Sequence, residues 1–375
     1  MRVEQRVWKR ESGWSAASAP SPADLVLVFG ARELLESGER LAELADAFPA
    51  GVVIGCSTSG EILGTTVLDQ TVTATAIDFE ATTVRSVCVE LGDAAASFEA
   101  GRGAGRALAT PELRHLFVLS EGLNVNGSEL VRGIATELPK GVEITGGLAG
   151  DGSAFQRTLV CLGRVARTGA VVAVGLYGER LNVGCASLGG WDAFGPEREV
   201  TRSSGNVLYE LDGRSALALY RDYLGDHASG LPASGLLFPL SLRHGDTIGV
   251  VRTILAIDDA AGSLTFAGDI PEGAFARLMK ANFDRLIDGS HQAALAARER
   301  FVSSPPQLGI LISCVGRKLV LRGRVEEEVE AASEALGASV PLTGFYSYGE
   351  ISPFTADARC ELHNQTMTIT TLSEV

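Results

Sequence analysis

Two short stretches carry residue types that could bind or react. "GCSTSGEI", residues 55–62, and "GFYSYGEI", residues 344–351, each pass from strand-like residues into a small or hydroxylic segment, a glycine, and a lone carboxylate followed by isoleucine. Gly60 and Gly349 let the backbone turn with positive φ and let a ligand approach main-chain N–H groups. Glu61 and Glu350 could receive an ammonium group, while Ser57, Thr58 and Ser59 offer hydroxyls and amides to a carboxylate. An α-amino acid presents both groups. Such turns facing one another across a pseudo-symmetric cleft would make a polar pocket in an apolar body. The ligand-free alternative is a turn whose acid caps neighbouring N–H groups or pairs with an arginine.

Other residues could join this chemistry. A third glycine-rich turn, "TGGLAGDG", ends in Asp151. Tyr346 and Tyr348, two apart, are expected to share one face of an extended segment and to wall a pocket or close the core. Arg252 sits in the apolar run "VVRTIL" and needs a partner, which one of the three acids could supply. Trp191 in "GGWD" is a further candidate. Cys56 and Cys314 stand at strand ends where a nucleophile could be exposed, but neither has a histidine nearby in sequence to generate the thiolate. The six cysteines are dispersed without a CxxC, so neither a zinc site nor a disulfide framework is suggested. "GRGAGR", residues 101–106, lacks the last glycine of a dinucleotide fingerprint and reads as helix, and there is no GKS or GKT. A non-catalytic protein is expected.

The elements around these turns repeat. "LVLVFG" reads as a strand, Leu34, Leu41, Ala45 and Phe48 mark a helical face, and "GVVIG" is a second strand. After Glu61, "TVTATAIDF" and "TTVRSVCVEL" read as an antiparallel hairpin. The same order restarts at "HLFVLSEG", with Leu130, Ile134 and Leu138 on a helix and "RTLVCLGR" and "GAVVAVGLYG" as a strand pair. Val28 and Val118 are 90 residues apart, as are Gly60 and Gly150, which supports a duplicated unit. A third, partial copy closes the chain with "GILISCVGR", a helical face at Val325, Val329, Ala332 and Leu336 with "EEE" towards solvent, "VPLTGFYSYGEISP" and "ELHNQTMTITTL".

Composition bounds the rest. The 375 residues, 46% hydrophobic and 21% charged, suit a globular protein with a sizeable core. A formal net charge of −14 with no basic tract argues against nucleic acid. No segment has the apolar length of a membrane span or a signal-peptide core, so the chain is expected in the cytoplasm.

Taken together, "GCSTSGEI", "TGGLAGDG", "GGWDAFGPEREVTRS", "LYELDGRSALALYRDYLG", "LPASGLLFPL", "VRTIL", "LTFAGDIPEGA", "SCVGRKLVL", "TGFYSYGEISP" and "LHNQTMTITTL" resemble the FIST family of prokaryotic sensory proteins, from about residue 25 to the end. The resemblance implies an intracellular module that recognises small metabolites such as amino acids. With no segment left over for an output, it implies signalling through a separate protein such as a kinase. It also brings a second expectation, since some FIST proteins are described as haem-containing nitric-oxide sensors. A haem would need an axial ligand, for which His115, His227, His244, His291 and His363 are the first candidates. His363, in "LHNQT", matches the family generally and reads as structural. A scaffold without ligand is the remaining alternative. The expected fold is mixed α+β, with pseudo-repeated strand-helix-strand-strand-strand units forming mixed sheets with flanking helices. The expected division is an extension at 1–24, an N-terminal domain at 25–224 with repeats near 25–90 and 115–180, and a C-terminal domain at 225–375.

Overall fold

The computed structural model describes residues 1–15, 21–244, 247–301, 305–354 and 359–375. Three sheets surround a common apolar centre, and each is built on the same plan. Two parallel strands lie at its middle: Leu25–Gly30 with Val52–Ser57, Leu113–Ser120 with Glu143–Leu148, and Leu308–Cys314 with Leu342–Ser347. Each first strand is also flanked by an antiparallel return strand, Val72–Asp78, Ala170–Tyr177 or Met367–Glu374. An outer strand follows, respectively Arg2–Lys9, Thr83–Glu90 or Leu181–Leu188.

The fifth place in each sheet is taken by another repeat. Glu61–Leu63 pairs with Leu342–Ser347, Gly349–Pro353 with Glu143–Leu148, and Val160–Leu162 with Val52–Ser57. The exchange closes a ring, so the body has pseudo-threefold symmetry and the third copy is complete. The mixed α+β architecture agrees with the sequence reading, with three corrections. Val72–Asp78 and Thr83–Glu90 form no hairpin, because the chain crosses from one sheet to the next between them. Val160–Leu162 and Ala170–Tyr177 likewise lie in different sheets. Residues assigned to an N-terminal extension supply the strand Arg2–Lys9.

Alternation along the strands separates the layers. Leu25, Leu27, Phe29, Phe117, Leu119, Ile310, Ile312 and Phe345 point to the common centre, where the Phe29 and Phe345 rings lie 4.7 Å apart. Val26 and Val28 face the other way, onto Leu35, Leu41 and Leu44 of the helices Arg32–Leu35 and Glu39–Ala47, which are separated at Gly38. That break moves the buried face to Leu41, Leu44 and Ala47, away from the continuous face expected through Leu34 and Ala45. The second sheet carries Ser97–Leu108 and Gly127–Glu137 outside it, and the third carries Phe283–Arg298 and Val325–Leu336. "GRGAGR" is indeed helical, and its Gly101 meets the partner helix so closely that a Cβ would lie 2.2 Å from the Leu130 carbonyl oxygen.

Between Leu181–Leu188 and Phe283–Arg298 an inserted module forms its own sheet, from Asp192–Ser204 through Phe275–Lys280, over the helix Ala216–Leu224. Leu217, Tyr220 and Leu224 share one core with Leu240, Ile254, Leu264 and Phe266, so a division near residue 225 falls inside this core.

Candidate functional site

The parallel strands need a glycine at one register position. Gly55, Gly146 and Gly344 stand opposite Val28, Val118 and Leu311. A Cβ there would lie 2.1, 1.8 and 1.7 Å from those residues' carbonyl oxygens. This sets the exit direction of the three turns that follow, and the turns close on one another around the pseudo-axis. Ser59 N donates to Tyr346 O at 2.8 Å, Tyr348 N to Leu148 O at 3.2 Å, and Gly150 N to Ser57 O at 2.9 Å. The space between the turns is therefore filled by backbone.

The two acids are buried beside this ring, Glu61 at 1% and Glu350 at 0% exposure. Glu61 Oε1 accepts from the Thr58 hydroxyl at 2.5 Å, and Oε2 accepts from the Thr71 hydroxyl at 2.6 Å and from Thr71 N at 3.3 Å. Glu350 repeats the pattern with Ser347 Oγ at 2.6 Å, Thr366 Oγ1 at 3.0 Å and Thr366 N at 3.2 Å. Burial pushes Glu61 up to about 7 against the pull of Thr58 and Thr71. Burial likewise pushes Glu350 up to about 8 against Ser347, Thr366 and the charge of Arg317. Thr71 and Thr366 were not foreseen, although "DQT" at 69–71 and "NQT" at 364–366 are a second repeated signal. Gln70 and Gln365 both take positive φ, 57° and 62°.

The other named residues separate. Asp151 stands at the register place of Gly60 and Gly349; the place of the acid itself is held by Val160, opposite Cys56. Asp151 Oδ2 accepts from Gln156 N and Arg157 N, and Oδ1 accepts from the Tyr348 hydroxyl. Tyr346 and Tyr348 do not share a face: the first packs under the helices of the third sheet and the second under those of the second sheet, because the strand ends at Ser347. Tyr348 stacks on Phe155, with centroids 4.5 Å apart. Arg252 pairs with none of the three acids. It donates to the carbonyls of Leu362, the cross-strand neighbour of Ile351, at 3.0 Å and of Asp269 at 3.2 Å, and burial lowers it to about 10. Trp191 is buried and donates to Gln365 O at 2.7 Å.

What stays open at the first turn is small. Thr58, Ser59, Gly60, Glu61, Asp69 and Asp151 line a depression of about 60 Å³, room for a few water molecules. Beside it lies a cleft of about 480 Å³ between the strand Thr66–Leu68 and the helix Val315–Leu321, lined by Val67, Asp69, Lys318, Leu319, Arg322 and Glu326. Lys318 joins the two spaces: Nζ donates to Ser59 O at 2.9 Å, pairs with Asp69, and lies 5.5 Å above the Tyr346 ring. Glu326 accepts from Val67 N at 3.0 Å. Arg322, exposed, with φ of 52°, makes no side-chain hydrogen bond or ion pair among the described residues.

Cys56 and Cys314 are buried, and burial pushes both thiols up, away from the nucleophilic thiolate. His115 Nε2 meets Thr145 Oγ1 at 3.0 Å within the second sheet, and His363 Nε2 meets Ser352 O at 2.7 Å with its ring edge-on to Phe354. Neither faces a space that could take a macrocycle, so they do not fit an axial ligand. His227 packs against Phe238. Among the described residues no group of three or more His, Cys, Asp or Glu could hold a metal ion, and no helix is long and apolar enough to cross a membrane.

Fold and site define a mixed α+β protein with a pseudo-threefold body, an inserted module and a polar cleft at one repeat junction. The chain belongs to the FIST family: residues 24–214 match the FIST N domain and 216–353 the FIST C domain. FIST domains are associated with sensory, signal-transduction roles, and the family is non-catalytic in general. An uncharacterized protein of Mycobacterium tuberculosis strain H37Rv is 25% identical over 236 residues, and one of Mycobacterium bovis is 26% identical over 233. The chain spans less than two thirds of these relatives' length, 59% and 57%, in alignments that take in 60% and 58% of its own. Among solved structures, PurLQS from Thermotoga maritima aligns at 9% identity over 85% of this chain and 74% of that one, with a TM-score of 0.24.

Proposed function

We propose that this is a sensory protein that binds a small polar metabolite, of the size and double charge of an α-amino acid, in the cleft at Lys318 and Arg322, and that a separate protein reads its occupancy. The observation that carries the reading is the Lys318 bond to Ser59 O, which ties the cleft to the "GCSTSGEI" turn. The volume of about 480 Å³ is in the range of small-molecule sites, and the adjoining depression is not. Arg322, without a side-chain partner among the described residues, offers a cation to a carboxylate, Asp69 and Glu326 offer acceptors to an ammonium, and Val67 and Leu319 offer apolar surface. The buried carboxylates of Glu61 and Glu350 hold the turns in shape, with their oxygens taken by the chain's own donors.

Thermal unfolding against a panel of amino acids and small organic acids tests this. At about 100 times its dissociation constant a ligand adds roughly 2.7 kcal/mol, which raises the midpoint by several degrees. The shift is expected to disappear in Lys318→Met and Arg322→Ala and to survive in Glu61→Gln. Loss in Glu61→Gln alone would return the ligand to the buried acids. A flat response across the panel would remove the metabolite reading.

A further inference from the structure

The inserted module is tied to the body by two chain crossings, residues 189–191 and 281–286, and both are held from one short helix. Arg317, on Val315–Leu321, is fully buried. Its guanidinium donates to Gly189 O at the entry crossing and to Leu286 O, at 2.8 Å, at the exit crossing. Its charge is met by Glu328, which accepts at 2.9 and 2.7 Å. Glu328 in turn accepts from the Tyr346 hydroxyl at 2.7 Å and from Ser313 Oγ at 3.1 Å. The crossings touch each other: Gly190 has φ of 77°, and a Cβ there would lie 1.9 Å from Arg285 O. Val320 and Leu321 of the same helix pack with Trp191, Leu286 and, from the module, Leu237 and Met279.

The opposite side of this helix supplies Lys318 and Leu319 to the cleft. The helix therefore cannot shift at the cleft without changing the Arg317 bonds at the crossings. We infer that the helix Val315–Leu321 couples the cleft to the inserted module, with Arg317 as a latch that an occupant of the cleft loosens. The inference rests on the proposed site, since it names how occupancy there would be transmitted. Tyr346 gives the pathway a second branch, because its ring lies beneath Lys318 while its hydroxyl sits on Glu328. Among the described residues, further polar ties between module and body include Arg252 to Leu362 O, Asn126 to Asp269 at 2.9 Å, Gln365 to Leu236 O at 3.3 Å and the Arg285–Asp192 ion pair at 3.0 Å.

The test needs no ligand. Leu319, 39% exposed at the cleft, is changed to tryptophan so that its ring occupies the space, and amide hydrogen exchange is followed by mass spectrometry on the whole chain. Leu319→Trp is expected to speed exchange at least fivefold in peptides covering 187–191 and 282–287, with Leu113–Ser120 unchanged. The double variant Arg317→Met with Glu328→Leu removes the buried pair without stranding a charge. It is expected to speed the same peptides and to abolish the response to Leu319→Trp. Should the double variant fail to fold, Lys318→Met, which frees the helix from Ser59, gives the same readout at an intermediate size. Unmoved crossings in Leu319→Trp, or an equal acceleration in Leu113–Ser120, would overturn the coupling. Unmoved crossings with a hit in the metabolite panel leave the site and remove the latch. Moved crossings with a silent panel do the reverse.

Discussion

At the residue scale, the two buried glutamates carry a stability signature whose sign can be worked out. Both are raised above the usual carboxylate value near 4.5, Glu61 to about 7 and Glu350 to about 8, so the folded chain holds protons that the unfolded chain has released. Their contribution is fully present below about pH 4.5 and is lost as pH rises through the folded values. For Glu61 the loss is on the order of 3 kcal/mol between the two limits, at about 1.4 kcal/mol per unit. Glu374 runs the other way: burial opposes its charge, but bonds from Glu80 N, Ala81 N and Thr82 outweigh that and hold its carboxyl low. Its share is lost as pH falls. Urea titrations from pH 5 to 9 are expected to show wild-type stability falling with pH, and the fall flattened in Glu61→Gln and Glu350→Gln. A glutamine there can keep its carbonyl oxygen on Thr71 or Thr366 and donate to Thr58 or Ser347, so both variants should fold. Equal pH slopes in wild type and variants would show that the acids are ionised throughout.

At the scale of elements, the repeated glycines decide whether the parallel strands can meet. Gly344→Ala puts a methyl group 1.7 Å from the Leu311 carbonyl oxygen, and Gly344 has φ of 156°. The clash involves backbone on both sides, so relaxation must separate two central strands. We expect a loss above about 3 kcal/mol or no soluble protein, as for the severe class of single changes. Gly64→Ala is the control, with open space around it and only its positive φ to strain, and should cost about 1 kcal/mol. Comparable losses at both positions would mean that conformational entropy, and not the close approach of strands, sets the requirement for glycine. The helix Val325–Leu336 carries a related lesson. Its "EEE" run reads as a solvated face, yet Glu328 is fully buried on Arg317, because 3.6-residue periodicity brings the third glutamate round to the side of Val329 and Ala332.

At the scale of the whole molecule, the body and the module have separate cores, joined at the crossings by a small apolar cluster around Trp191, Leu286, Val320 and Leu321. The body closes its ring of exchanged strands, so each repeat needs the other two, whereas the module has its own core of Val200, Leu208, Tyr220 and Phe266. Denaturation is expected to be three-state, with the module opening first. Exchange in Ala216–Leu224 and Phe275–Lys280 should report a lower free energy than exchange in Leu113–Ser120. A single transition with uniform protection would mean that the crossings and the Arg317 latch bind the two parts into one cooperative unit.

Much of this protein was legible in its sequence because the signals are local. Strand alternation, helix periodicity, the repeated "GEI" turns and the spacing of Val28 and Val118 depend on residues close in the chain, and they gave the repeat grammar, the mixed fold and the family. Nothing local distinguishes an acid that meets a ligand from one that meets Thr71, ten residues away, or Thr366, sixteen away. Nor could adjacent β-branched runs reveal that they belong to different sheets, since pairing is a choice among partners across the whole chain. The cleft is the clearest case, because Lys318 and Ser59 lie 259 residues apart. Only the ring closure of the three repeats brings that helix against that turn, by burying a common centre that no single repeat can enclose alone.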